Sequence, residues 1–559
     1  MAIENLITDH LDLWTAAVRP KSSVGRGSNS KLELTGIKKL RELILELAVR
    51  GKLVPQDPSD EPASVLLERI AAEKARLVKE KKIKKSKALP EIGEEEKLFE
   101  LPDGWEWARL NDLGDWGAGA TPTRSNSDFY GGNIPWFKSG ELISDYIFKS
   151  EESVTELALS KSSLRYNDVG DVLVAMYGAT IGKTAILGVK ATTNQAVCAC
   201  TTFDGFLNLY LLQLLKAYRP RLIGMGAGGA QPNISKDKLI ATIVALPPFN
   251  EQKRIVSKID ELMALCDQLE QCSESQLSAH QTLVEVLLAT LTDSAGADEL
   301  AQNWARLSTH CDTLFTTEAS IDALKQTILQ LAVMGKLVPQ DPSDEPASAL
   351  LERIAAEKAQ LVKEKKIKKE KPLPAISEDE KLCNLPEGWV QCRLNDIIKI
   401  SSGDGLTSKQ MASDGSIPVF GGNGITGYHD QFNVSQPTIV IGRVGFYCGS
   451  VHITPSKAWV TDNAFITSFS HVNVHLDFLA WLLKATNLNE HDNATAQPVI
   501  SGRKLYPIVV CLPPLAEQHR IVAKIDLLMT ICDQLKSRLQ TSQQTQLALA
   551  ESLVEGALA

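Results

Sequence analysis

Apolar residues recur at alternating intervals of four and three along two stretches of this chain. The first holds Ile255, Ile259, Leu262 or Met263, Cys266 and Leu269; the second holds Ile521, Ile525, Leu528, Cys532 and Leu535. This spacing keeps one stripe on one helix face and forms a coiled-coil seam. Apolar positions at Leu277, Val284, Leu287 and Leu291 continue the first stripe. They predict a helix of about 40 residues, roughly 60 Å at 1.5 Å per residue. Two equivalent long helices in one chain are expected to pair antiparallel. A shorter helix is predicted after DPSDEPAS, with Ser59 or Asp60 as its cap and Pro62 in its first turn. Its apolar face, Leu66, Leu67, Ile70 and Leu77, leads into the lysine run KEKKIKK, which extends into solvent or meets a partner.

Two other stretches, about 106–245 and 390–511, lack this period and are rich in Gly, Thr, Ser, Asn and aromatic residues. Their short apolar runs, DVLVAMYG and TIVIGRVG, read as strands between polar turns. A helix is expected in each, at FLNLYLLQLLKAY (206–218) and HLDFLAWLLKAT (475–486).

The helical segments repeat and the strand-rich ones diverge. Residues 51–85 recur at 335–369, an offset of 335 − 51 = 284, with only Val65 replaced by Ala349 and Arg76 by Gln360. The offset continues through LPDGW (101–105) and LPEGW (385–389) to Asn111 and Asn395. A second repeat pairs LPPFNEQKRIVSKID from Leu246 with LPPLAEQHRIVAKID from Leu512, an offset of 266. The N-terminal MAIENLITDHLDLWTAAVRP is similar to ADELAQNWARLSTHCDTLFT, and the tail LALAESLVEGAL to TLVEVLLATL (282–291). One connector is thus intact in the middle and another is split between the chain ends. A circular two-fold repeat follows, and the termini are expected to lie close together. The expected segments are 1–105 (helical), 106–245, 246–389 (helical), 390–511 and 512–559 (helical).

The strand-rich segments still share a ground plan. Gly178 and Gly182 of YGATIGKT match Gly445 and Gly449 of VGFYCGS; Asn194 matches Asn463; GAQPNISKDKL is similar to TAQPVISGRKL.

Composition constrains function little. A 559-residue chain with 44% hydrophobic and 23% charged residues is an ordinary multidomain globular protein, and its net charge of −9 points to no nucleic acid by itself. The acidic N-terminus does not read as a signal peptide, and no run of about 18 apolar residues supports a membrane span. The ten cysteines contain no C-x-x-C pair, which suits free thiols in the cytoplasm. Cys198 and Cys200 share a strand face, as core residues or as half of a metal site.

Two divergent segments between repeated LPP-x-x-EQ-x-RIV-x-KID helices, each preceded by GKLVPQ and LP-x-GW, resemble the specificity subunit of type I restriction-modification systems over essentially the whole chain. The resemblance implies an α+β fold with two α/β target recognition domains separated by long antiparallel coiled-coil helices. Each domain would read one half of a split double-stranded DNA site. The helices would set the spacer and bind two modification subunits, making the seam residues Ile255, Ile259, Leu269, Ile521, Ile525 and Leu535 partner-binding candidates. Modification subunits would bring S-adenosylmethionine to an adenine in each half-site. Restriction and translocase subunits would add ATP and magnesium chemistry, and the chain itself would bind no cofactor.

Base readout favours Arg or Lys for guanine and Asn or Gln for adenine, with Lys and Arg on phosphates. The candidates are Arg124, Lys138, Lys183, Asn194, Gln231, Lys236 and Lys238 in the first domain. In the second they are Lys409, Asn423, Arg443, Asn463, Gln497, Arg503 and Lys504. Asn194 and Asn463 alternatively hold turns. The glycine-rich GGNGITGYHD (421–430) and GAGGAQPN (226–233) permit close backbone approach to a ligand or simply turn.

Catalytic motifs fail in detail. YGATIGKT would need glycine at Tyr177 to be a phosphate loop, and LPPF has leucine where amino-methyltransferases need Asn, Asp or Ser. There is no H-E-x-x-H and no nucleophile elbow. Two alternatives remain open: an enzyme using Gly182, Lys183 and Thr184 on a nucleotide, and a coiled-coil scaffold that does not touch DNA.

Overall fold

The computed structural model describes residues 3–20, 32–85, 89–226, 232–367, 373–381, 385–407, 410–412, 415–445, 447–486, 488 and 499–558. Six helices form the repeated frame: α1 (Thr35–Val49), α2 (Ala63–Lys79), α3 (Phe249–Asp293), α4 (Glu318–Val333), α5 (Ala347–Lys363) and α6 (Leu515–Leu558). The long seams are therefore continuous helices of 45 and 44 residues.

The chain forms two units, residues 1–275 with 543–559, and residues 276–542. Each long helix belongs to both. Helix α3 starts in the first unit and ends in the second, and α6 does the reverse.

Equivalent bonds in each unit express the circular repeat. Lys52 donates to the Leu558 carbonyl at 2.9 Å in the first unit, and Lys336 donates to the Thr292 carbonyl at 2.7 Å in the second. The lysines are 284 apart and the carbonyls 558 − 292 = 266 apart, the two offsets of the sequence. Arg41 pairs with Asp267 as Lys325 pairs with Asp533. The end of the chain thus fills the place that the end of α3 fills in the other unit. The termini meet as expected: Ile3 and Glu4 line one cavity of about 990 Å³ with Leu553 and Gly556.

Both strand-rich segments are clasped at their base. Glu106–Arg109 pairs antiparallel with Ile243–Leu246, and Val390–Arg393 with Val509–Leu512. Proline after each closing strand stops the ladder, and α3 or α6 begins directly. Inside the first clasp lie a five-stranded sheet and a three-stranded one; the second encloses a four-stranded and a three-stranded sheet. The predicted helices appear as Asn208–Ala217 and Leu476–Ala485.

Two details differ from expectation. Neither Ser59 nor Asp60 caps α2. Pro62 occupies the cap position, the first helical amide, Ala63, donates to the Gly104 carbonyl, and Asp60 turns to Arg254 at 2.6 Å. An acceptor from the LPDGW turn replaces the side-chain cap, leaving Asp60 for an ion pair. The apolar stripe of α3 is also broader than expected, since Leu288 joins Val284 and Leu291 in the second unit's core while Leu287 packs half-buried against it.

Candidate nucleic-acid interface

Beneath each strand-rich domain the repeated motifs converge in a buried knot. Gly51, with φ of +68°, brings the chain so close to the LPDGW turn that a Cβ there would strike Pro102. Trp105 fills that corner, and its indole N–H donates to Glu251 at 3.0 Å. Gln56 donates to the same carboxylate, and Arg254 holds Asp60 beside it. Gln252 accepts from the Leu207 amide at 2.9 Å and donates to the Pro247 carbonyl, tying strand end and domain helix to α3. The second unit repeats the knot with Gly335, Pro386, Trp389, Glu517, Gln340, Arg520, Asp344 and Gln518. Arg109 and Arg393 close the clasps, each donating to backbone carbonyls and to Glu96 or Glu380.

Burial pushes the Glu251 and Glu517 carboxyls above their ordinary value of 4.5, because their neutral donors only partly offset lost hydration. A raised folded-state value means that stability from these groups is present below pH 4.5 and lost as pH rises through the raised values. In the variant Glu251→Gln/Glu517→Gln, the thermal midpoint relative to wild type is expected to improve as pH climbs through that window. A flat difference across that window would refute it.

Each domain also carries the same tight hairpin. Gly178, Gly182, Gly445 and Gly449 all have positive φ. The Gly182 amide donates to Ala175 and the Gly449 amide to Gly442, the same closure in both. The segment before each domain's last helix lies against it: Gly178 donates to the Pro232 carbonyl, and Ile500 to the Arg443 carbonyl. YGATIGKT is therefore a turn between antiparallel strands, Val172–Ala175 and Thr184–Leu187, with no helix following it to face a phosphate.

The DNA candidates sort into distinct groups. Lys183 follows the hairpin, while Lys236 and Lys238 lie on the short helix Lys236–Ile240 capped by Ser235. Arg503 and Lys504 occupy the matching helix Gly502–Leu505, and Arg443 lies over Phe465. Asn423 is exposed at the turn between Ile417–Gly421 and Gly424–His429. Arg124 and Lys138 lie elsewhere, both bonded to Glu152, with Arg124 also over Tyr130 and Trp136. Their charge is balanced within the domain, and the two cations hold the Glu152 carboxyl below its usual range. Asn194 holds a turn, accepting from the Ala196 amide, and Asn463 is exposed with its carbonyl bonded to Arg443. Gln231, Lys409 and Gln497 lie outside the described residues.

Four partner-binding candidates require correction. Ile255, Ile259, Ile521 and Ile525 are fully buried within the chain's own units, and Leu269 and Leu535 are half-buried. The seam closes each unit's own core, so the four isoleucines are not free for another subunit. Cys198 and Cys200 are core residues of Val197–Thr202, and burial pushes the Cys198 thiol up to about 12.

A selection based on polar side chains also passed over exposed apolar ones. Ile143 and Phe148 in the first domain, and Ile425 and Tyr428 in the second, stand largely in solvent. Only the glycines of 421–430, around Ile425 and Tyr428, hinted at a surface loop. Among the described residues no helix is long and apolar enough to cross a membrane, and no group of three or more His, Cys, Asp or Glu could hold a metal.

The model of the type I restriction modification DNA specificity domain matches residues 102–279 and 386–542, once for each domain and its following helix. The chain is 43% identical to the type I restriction enzyme EcoAI specificity subunit of Escherichia coli, covering 100% of both. It is 42% identical to the EcoEI specificity subunit of the same organism, again over 100% of both chains. A solved chain from work on complex assembly and conformational transition of the type I restriction-modification system matches with a TM-score of 0.51 at 16% identity. That match covers 82% of this chain and 99% of the other, and it shows a shared fold.

Proposed function

The chain belongs to the family of type I restriction-modification specificity subunits, and from this we propose that it recognises a bipartite asymmetric DNA site without catalysing a reaction. Residues 106–245 read one half-site and residues 390–511 the other. The helical segments 1–105, 246–389 and 512–559 set the spacer and receive two modification subunits. Those subunits bring S-adenosylmethionine, and a restriction subunit brings ATP and magnesium chemistry.

One observation carries this reading: the same knot, bond for bond, underlies two domains whose strands and exposed side chains differ. A duplicated enzyme site would repeat the exposed chemistry, whereas a two-part reader keeps the mount and varies the face. Base contacts specify sequence and need unlike surfaces for unlike half-sites.

Exchanging residues 106–245 for the matching domain of a relative is the test. Mapping methylated adenines in host DNA should show one half-site replaced, with the other half and the spacer retained. Replacement of both halves, or of neither, would exclude the two-reader assignment.

A further inference from the structure

We propose that the lysine tips of α2 and α5 are phosphate clamps, one beside each recognition domain, which grip DNA without reading it. The proposal rests on the DNA-recognition reading above and adds a second class of contact to it.

The backbone of the tips supplies the first argument. After α2, the Lys81 amide donates to the Val78 carbonyl at 3.1 Å and the Lys82 amide to the Leu77 carbonyl at 3.0 Å. After α5, Lys365 and Lys366 repeat this with Val362 and Leu361. This closure ordinarily places glycine at its left-handed position. Here Lys81 and Lys365, at φ of +57° and +58°, are the two non-glycine residues with positive φ among the described residues. Glycine would end either helix with less strain. Both copies instead keep a lysine side chain there.

Charge supplies the second. Lys79, Lys81, Lys84 and Lys85 are exposed, as are Lys363 and Lys365, and none of the six forms an ion pair among the described residues. The adjacent acids are already engaged, Glu80 by Lys82 and Glu364 by Lys366, each at 2.8 Å. The shaft of α2 is fixed to its domain's base by Lys74 on the Asn111 carbonyl, and α5 by Lys358 on the Asn395 carbonyl. Each tip therefore rises just past an anchor on a recognition domain.

Phosphate fits these tips better than a protein surface. They present ammonium groups with one half-buried isoleucine, Ile83 or Ile367, and neither arginine nor an aromatic ring. Lysine is depleted at the centre of protein interfaces, and its compact charge suits a phosphate oxygen. Matching tips beside unlike domains also suit a ligand that is the same at both half-sites, as the DNA backbone is.

The test uses the full chain assembled with its modification subunits, titrated onto a duplex carrying its methylated site and onto an unrelated duplex at several salt concentrations. The variants are Lys79→Gln/Lys81→Gln/Lys84→Gln/Lys85→Gln and Lys363→Gln/Lys365→Gln. Each engaged lysine that is lost should lower the slope of log affinity against log salt by about 0.9, equally on both duplexes, with their ratio unchanged. Lys81→Gly separates grip from folding: its thermal midpoint should hold or rise while binding weakens, and Lys81→Arg should keep the slope. Unchanged slopes in both multiple variants would overturn the clamp. So would unchanged slopes with reduced co-elution of modification subunits, which would make the tips a protein contact. A wild-type complex that failed to prefer its own site would sink the recognition reading instead, while the slopes would still decide the clamp.

Discussion

Replacing Trp105 with alanine is expected to cost roughly 3–5 kcal/mol, which lowers the thermal midpoint of a unit this size by on the order of 10 °C. The indole is buried in the corner made by Gly51 and Pro102, so truncation opens a cavity that backbone geometry prevents from closing. It also takes one of two neutral donors from the buried Glu251 carboxylate. Trp105→Phe separates the two effects: most of the packing stays, and the loss should shrink to about 1–3 kcal/mol for the missing hydrogen bond. Adding Glu251→Gln to Trp105→Phe should return part of that loss, because a neutral amide tolerates a missing donor better than a carboxylate does. Trp389→Ala should behave like Trp105→Ala, since Glu517 stands in the same relation to it. A midpoint shift below about 2 °C for either alanine variant, read by calorimetry, would mean that the knot does not hold the domain base.

The knot also marks where sequence reasoning stopped. Period and repetition were enough to find the long helices, because an apolar stripe sustained over many turns at this spacing stays on one face only if the backbone is helical. The offsets of 284 and 266 then predicted a split connector, and Lys52 on Leu558 matched by Lys336 on Thr292 shows it. The LPP segment is a strand-to-helix joint for a local reason, the missing proline amides after each closing strand. What sequence could not assign was the destination of each buried polar group. Asp60 looked like a cap from its local context, yet its partner Arg254 lies 194 residues away. Glu251 and Gln252 appeared only as the EQ of a repeated helix motif, and their bonds reach Trp105, Gln56 and Leu207. The same limit affected the DNA candidates. Arg124 and Lys138 resembled free cations because Glu152, which takes both, is set beside them by strand pairing rather than by sequence distance. The seam isoleucines were the right residues for a helix–helix core and, for that reason, the wrong ones for a second subunit.

Seven residues inserted in both long helices, after Ser275 in α3 and after Ser542 in α6, should lengthen the methylated site's spacer by about three base pairs. Seven helical residues add about 10.5 Å at 1.5 Å each, and DNA rises about 3.4 Å per base pair. A heptad suits the purpose because it turns the helix through nearly two full revolutions, leaving the buried faces within about 20° of their original direction. Both helices must change together. Helix α3 carries Ile255 and Ile259 in the first unit's core and Val284, Leu288 and Leu291 in the second's, while α6 carries Ile521 and Ile525 in the second and Leu547 and Ala550 in the first. Lengthening α3 alone would leave the two helices disagreeing by about 10.5 Å over where one unit ends and the other begins. One core would then lose its buried residues, so the single insertion should yield an unstable chain that methylates poorly. The matched pair should restore folding and methylate sites with the longer spacer. A matched pair that folds but still methylates the original spacing would show that helix length does not set the separation of the half-sites.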